Sequence, residues 1–179
     1  MKKSLLVCFL FCATGLFAQE KMVTKTGKVT FEASVPSFEE VKAKNDGVTF
    51  ILNSKTGEVA GLALMKGFRF KIALMEEHFN ENYMESDKYP KATFKGKIES
   101  FDVKALTATA KEYTIKGKLE LHGKSKDVTS VAKIRKTDAG IEIISNFSVN
   151  ASDFDIKIPS VVKNKVSNTI NIKTEFTVK

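Results

Sequence analysis

The residues able to do chemistry in this chain are few and scattered. Two histidines, His78 and His122, stand far apart with no HxxxH or HxxE arrangement, whereas a metal site needs several converging nitrogen, oxygen or sulfur ligands. They read as a helix-surface His78 and a turn-capping His122. No G-x-S-x-G elbow nominates a serine nucleophile, and neither a GxGxxG nor a phosphate-loop signature is present. A Ser-His-Asp arrangement assembled by the fold stays open, on no positive sign. Asp153 and Asp155 flank Phe154, and a close carboxylate pair is able to do acid/base work. Aspartate's preference for turns makes a turn after Asn150 the simpler reading. Asn146-Phe147-Ser148 and Asn150-Ala151-Ser152 match the glycosylation sequon, a motif too short to weigh much. The inventory nominates no enzyme, no metal site and no cofactor.

The elements around these residues are strands. In Asn168 to Val178 the even positions carry Ile170, Ile172, Phe176 and Val178, and the odd ones Asn171, Lys173, Glu175 and Thr177. Side chains on a strand point to opposite faces in turn, so each such strand has one apolar and one polar face. The same alternation predicts strands over Gly27 to Val35, Gly47 to Asn53, Glu58 to Met65, Phe68 to Ile72, Ala92 to Glu99, Tyr113 to His122, Lys126 to Arg135 and Ile141 to Asn150. Phe38 to Ala43 is a weaker, more polar candidate. Ser54-Lys55-Thr56-Gly57, Gly123 and Asp138-Ala139-Gly140 supply turns. In Ala73 to Met84 the period changes: Met75, Phe79 and Tyr83 fall at i, i+4 and i+8, one stripe of a helix. Glu76 and Glu77 suit its first turn, and Pro90 stops it. About eight strands suffice to close a barrel around one ligand. Inward glycines and alanines, Gly61, Ala63, Gly96 and Gly117, mark barrel curvature, room for a ligand, or both.

The N-terminus has the three parts of a cleaved secretory signal: Lys2 and Lys3, an apolar run from Leu5 through Ala13, and Ala18 before the cut. No small residue precedes Cys8 or Cys12, which argues against lipidation. Both cysteines lie inside that segment, so residues 19–179 form one domain without disulfide, thiol nucleophile or thiolate site. Export places it in the periplasm or outside the cell. The formal charge is +8, carried largely by strand lysines such as Lys95, Lys97, Lys116, Lys118, Lys133 and Lys173. These alternate with apolar residues and read as the solvent face of a sheet. A nucleic-acid site would interleave exposed aromatics with the basic residues on one patch, and here the aromatics fall on the opposite parity. Attraction to an anionic membrane surface stays open, as does a homodimer.

Three segments carry a likeness. His78-Phe79-Asn80-Glu81-Asn82-Tyr83-Met84 through Tyr89-Pro90-Lys91-Ala92-Thr93-Phe94-Lys95-Gly96 resembles the helix and following strand of the YceI-like family. Ile115-Lys116-Gly117-Lys118-Leu119-Glu120-Leu121-His122-Gly123-Lys124-Ser125-Lys126-Asp127-Val128 looks like its G-x-L-x-L-H-G hairpin. Phe147-Ser148-Val149 through Asp153-Phe154-Asp155-Ile156 resembles its penultimate segment, although many members place a glycine where this chain has Asp155. The resemblance implies an all-β, extended eight-stranded antiparallel barrel, lipocalin-like, with one short α-helix. It also implies an exported, non-enzymatic protein holding a polyisoprenoid or similar long-chain lipid in its lumen.

Strand parity nominates Phe31, Phe50, Phe94, Ile98, Ile115, Leu119, Phe147, Ile170, Ile172 and Phe176 as the lumen wall. Arg69 and Lys163 are candidates for holding a charged headgroup at the rim. The rival reading is a barrel whose core is filled by its own side chains, serving as a protein-interaction or stress-response module in the envelope.

Overall fold

The computed structural model describes residues 20–179. The expected signal segment 1–18, with Cys8 and Cys12, lies outside them. The strands are β1 (Lys21–Ser34), β2 (Lys42–Asn53), β3 (Glu58–Leu64), β4 (Arg69–Phe70) and β5 (Lys91–Ile98), followed by β6 (Lys111–Leu121), β7 (Lys124–Thr137), β8 (Gly140–Asn150) and β9 (Val166–Val178). All pairings are antiparallel, and the sheet order is β1-β9-β8-β7-β6-β5-β3-β2, with β1 pairing β2 to close the circle. The result is an eight-stranded barrel. The expected strand Phe68 to Ile72 shrinks to the two-residue β4, an extra strand set against the N-terminal half of β2 at Ala43 and Lys44.

Local chemistry accounts for the turns. In the β2–β3 hairpin, the Asn53 side-chain oxygen accepts from the N–H groups of Lys55 and Thr56, and Gly57 takes φ +73°. His122 and Gly123 both have positive φ (51° and 72°) between Leu121 and Lys124, the two-residue turn whose twist matches that of its strands. A Cβ on Gly123 would also come within 2.8 Å of the Tyr89 ring. The β2 strand begins five residues before its expected start. Its early inward positions hold Ala43 and the polar Asn45, which hides the alternation. Asn45 is buried with its amide spent, donating to the Leu64 carbonyl (3.0 Å) and accepting from the Gly47 N–H (2.9 Å).

The expected helix splits in two. Helix α1 spans Ala73–His78, and the next turn, Phe79–Tyr83, widens to π geometry, with the Met84 N–H donating to the Phe79 carbonyl. Glu76 holds this short helix to β4, accepting from the Phe70 N–H (3.1 Å) and from Arg69 Nη1 (2.9 Å).

One end of the barrel is packed solid. Leu52, Ile98, Ile134, Ile143 and Val178 are fully buried there, and the β5–β6 connection contributes Leu106. Midway, β5 and β6 meet at Gly96 and Gly117, which face each other in register. A Cβ at Gly117 would come within 2.5 Å of the Lys95 carbonyl oxygen and 2.5 Å of the Phe94 ring. The space that these glycines leave is therefore occupied by Phe94. Gly61, by contrast, faces a wider gap, its nearest neighbour being the Phe50 ring at 3.6 Å. Gly117→Ala is expected to cost about 1–3 kcal/mol through overpacking, read as a lower urea midpoint at unchanged m-value; an unchanged midpoint would mean that β5 and β6 have slack.

Candidate functional site

Above that packed end lies a cavity of about 540 Å³, within the range typical of small-molecule sites. Its walls come from the inward rows of the eight barrel strands, from α1 and the π turn, and from the β8–β9 connection. Of the lumen residues read from parity, Phe31, Phe50, Phe94, Ile115, Leu119, Phe147, Ile170, Ile172 and Phe176 line it. Ile98 shares their face but sits below, in the packed end, 0% exposed. Phe50 and Phe176 stack at 4.1 Å between ring centroids, almost parallel, above that packed end. The Phe176 ring covers Gly27, at a bulge in β1 where any Cβ would collide with it.

Other lining residues, among them Phe68, Phe70 and Phe79, stand outside those nominated for the lumen. Phe31, Phe68, Phe70 and Phe79 form one aromatic cluster, with centroid separations of 5.2–5.8 Å. Met75 and Tyr83 extend the wall from the helical stripe, which is the signal by which this part of the lining was legible. Burial raises the Tyr83 phenol above its ordinary pKa. Ile156, Ile158 and Val162 complete the wall from the β8–β9 connection, a segment without a regular period to betray them.

The exposed members of the lining, Phe38, Glu39, His78 and Lys165, all come from the end opposite the packed one and mark the mouth. His78 therefore stands at the rim of the cavity as well as on the helix surface. The headgroup candidates fall elsewhere. Arg69 is committed to Glu76 and to the carbonyls of Lys66 and Phe68, and it does not line the cavity. Lys163 is exposed and also outside the lining, whereas Lys165, two residues on, reaches it.

Inside, polarity is sparse, coming from Thr93, Ser130, Ser145, Thr174 and the Tyr83 phenol. Ser145 is buried but donates to the Val131 carbonyl (3.2 Å). Among the described residues no buried side-chain nitrogen or oxygen lacks a partner, and no group of three or more His, Cys, Asp or Glu is placed to hold a metal ion. Asp153 and Asp155 serve a single helical turn, Ala151–Phe154, that follows β8. Asp155 takes φ +56°, a conformation that Asp tolerates and Gly adopts freely. Lys124 bonds it at 2.8 Å and holds its carboxyl below the ordinary carboxylate pKa.

His122 fastens this side of the mouth. Its Nδ1 lies 3.0 Å from the Phe154 carbonyl and its Nε2 3.0 Å from the Glu85 carboxylate, with Tyr89 tilted against the ring at 4.4 Å. The β6–β7 turn, the segment after the helix and the turn after β8 thus meet on one imidazole.

Comparison with known proteins follows the same lines. The chain resembles a polyisoprenoid-binding domain from Saccharophagus degradans, with a TM-score of 0.72, 15% identity, and coverage of 89% of this chain and 98% of that one. It resembles Burkholderia cenocepacia BcnA with a TM-score of 0.69, 16% identity and coverage of 83% and 94%. For a Campylobacter jejuni YceI protein the values are 0.60, 19%, 81% and 89%. At these identities the likeness is one of fold. No curated protein sequence matches the chain. Residues 14–178 match the YceI-like domain, which is nearly the whole sequence, and the chain belongs to the YceI-like family.

Proposed function

We propose that this protein is an exported, non-catalytic carrier that holds a polyisoprenoid or another long-chain amphiphile in the barrel lumen. The observation that carries the reading is the 540 Å³ cavity walled by aromatic and aliphatic side chains. Removal of apolar surface from water is worth roughly 25 cal/mol per Å², so such a wall holds an alkyl or prenyl chain without specific polar contacts. Apolar side chains make up most of the lining among the described residues, which suits an alkyl or prenyl guest better than a polar substrate. A polyisoprenoid-binding domain among the proteins of the same fold agrees with this reading. Lys165, which alone among the lysines and arginines of the described residues borders the cavity, is our candidate for meeting an anionic headgroup.

Native mass spectrometry of protein purified without detergent should detect a hydrophobic adduct, and organic extraction should release it. Delipidated protein should then take up a fluorescent fatty acid or prenyl alcohol. Recovery of empty protein that takes up neither would refute the carrier reading.

A further inference from the structure

The connection from Ile156 to Lys165 covers the mouth with an oily inner side and a cationic outer one. Ile158 and Val162 line the cavity, while Val161 between them is 80% exposed. Lys157 and Lys163 are exposed, border no part of the cavity, and form no ion pair among the described residues. From Ile156 to Thr174 the chain carries four lysines and no acid. The other side of the mouth has the opposite character. Glu39 and Glu40 lie in the β1–β2 loop, and Glu76, Glu77 and Glu81 in the helical segment. Glu40 and Glu76 are partly compensated by Lys42 and Arg69.

We infer that the Ile156–Lys165 strap docks the mouth onto an anionic lipid bilayer, with Val161 entering the headgroup region and Lys157 and Lys163 against the lipid charges. An exposed apolar side chain between two cations selects this occupant: Val161 is the most exposed large hydrophobic among the described residues. Several strand lysines on the barrel wall face acids, as Lys116 faces Glu99 (2.7 Å) and Lys118 faces Asp127 (3.0 Å). Those that form no ion pair among the described residues, such as Lys95, Lys97 and Lys126, flank no apolar side chain as exposed as Val161. Lys163 forms no ion pair among the described residues, and Lys157 feels only Asp155, which Lys124 already pairs. The two flank an apolar side chain, the combination that an anionic interface attracts. The acids across the mouth tilt the molecule so that the strap, rather than the whole rim, meets the surface. One valine and two lysines give a weak, reversible attachment. The inference does not depend on what fills the lumen.

The test is flotation of the protein with vesicles of phosphatidylcholine alone or mixed with phosphatidylglycerol, at low and high salt. Protein should float with the anionic vesicles only, and salt should release it. A Lys157→Gln/Lys163→Gln double variant should bind roughly thirtyfold more weakly, and Val161→Asp should also lose binding. Circular dichroism and native mass spectrometry should show both variants folded and loaded with ligand as before. Absence of flotation, equal binding to neutral vesicles, or undiminished binding by the double variant would overturn the inference; a folded, empty protein that still floats would sink the carrier reading and leave this one standing.

Discussion

Replacing Phe147 with lysine is expected to empty the lumen while leaving the barrel folded. Phe147 is only half-buried because one side of its ring faces the cavity. It lies opposite Ile172 in the β8–β9 register, and both line the same stretch of wall. A lysine there has room to run its methylenes along the wall and carry its ammonium towards the mouth, which avoids a fully desolvated charge. A guest in that lumen must either lie against the ammonium or give up the space. Burying an unpaired polar group costs a few kcal/mol, so affinity should fall by about two orders of magnitude or more. Fluorescent-lipid titration and native mass spectrometry read the loss, and the melting temperature should change by only a few degrees. Global unfolding of the variant would instead mean that Phe147 belongs to a self-filled core.

Phe176→Ala is expected to do the reverse, destabilising the barrel strongly. The ring is buried, stacked on Phe50 at 4.1 Å and laid over the bulge at Gly27. Removing it takes away the transfer energy of a phenyl group and leaves a hole that strands cannot collapse to fill, about 3–5 kcal/mol. For a domain of this size each kcal/mol lowers the melting temperature by about 2–4 °C, so a fall of about 10 °C is expected by calorimetry. A cost under about 1 kcal/mol would show that the stack contributes little to the floor. The two substitutions lie on the inward faces of the neighbouring strands β8 and β9, four residues apart in register, yet one tests occupancy and the other packing.

Much of this arrangement was legible before any coordinates. Ile170, Ile172 and Phe176 share a face because side chains alternate along a strand, and the same rule gathered Phe31, Phe94 and Leu119 onto the cavity wall. Parity gives the face but not the height along the barrel axis. Ile98 has the right face and the wrong height, since β5 carries it down past the Gly96–Gly117 contact into the packed end. Asn45 hid the first half of β2 because a buried amide satisfied by Leu64 and Gly47 looks polar in sequence. Charge and position nominate Arg69 and Lys163 as rim cations, and neither property says where a long side chain points. Arg69 turns to Glu76, which itself anchors α1. The strap's Ile158 and Val162 obey no strand or helix period, so only the folded chain places them over the mouth.

The packed end has one more consequence. With Leu52, Ile98, Ile134 and Val178 closing it, the cavity opens towards the end marked by Phe38, Glu39, His78 and Lys165. In the proposed carrier a guest that enters there leaves along the same path, and a successor has to wait until the vestibule clears. Exchange of cargo would then be set by the departure rate alone, whatever the concentration of the next molecule in line.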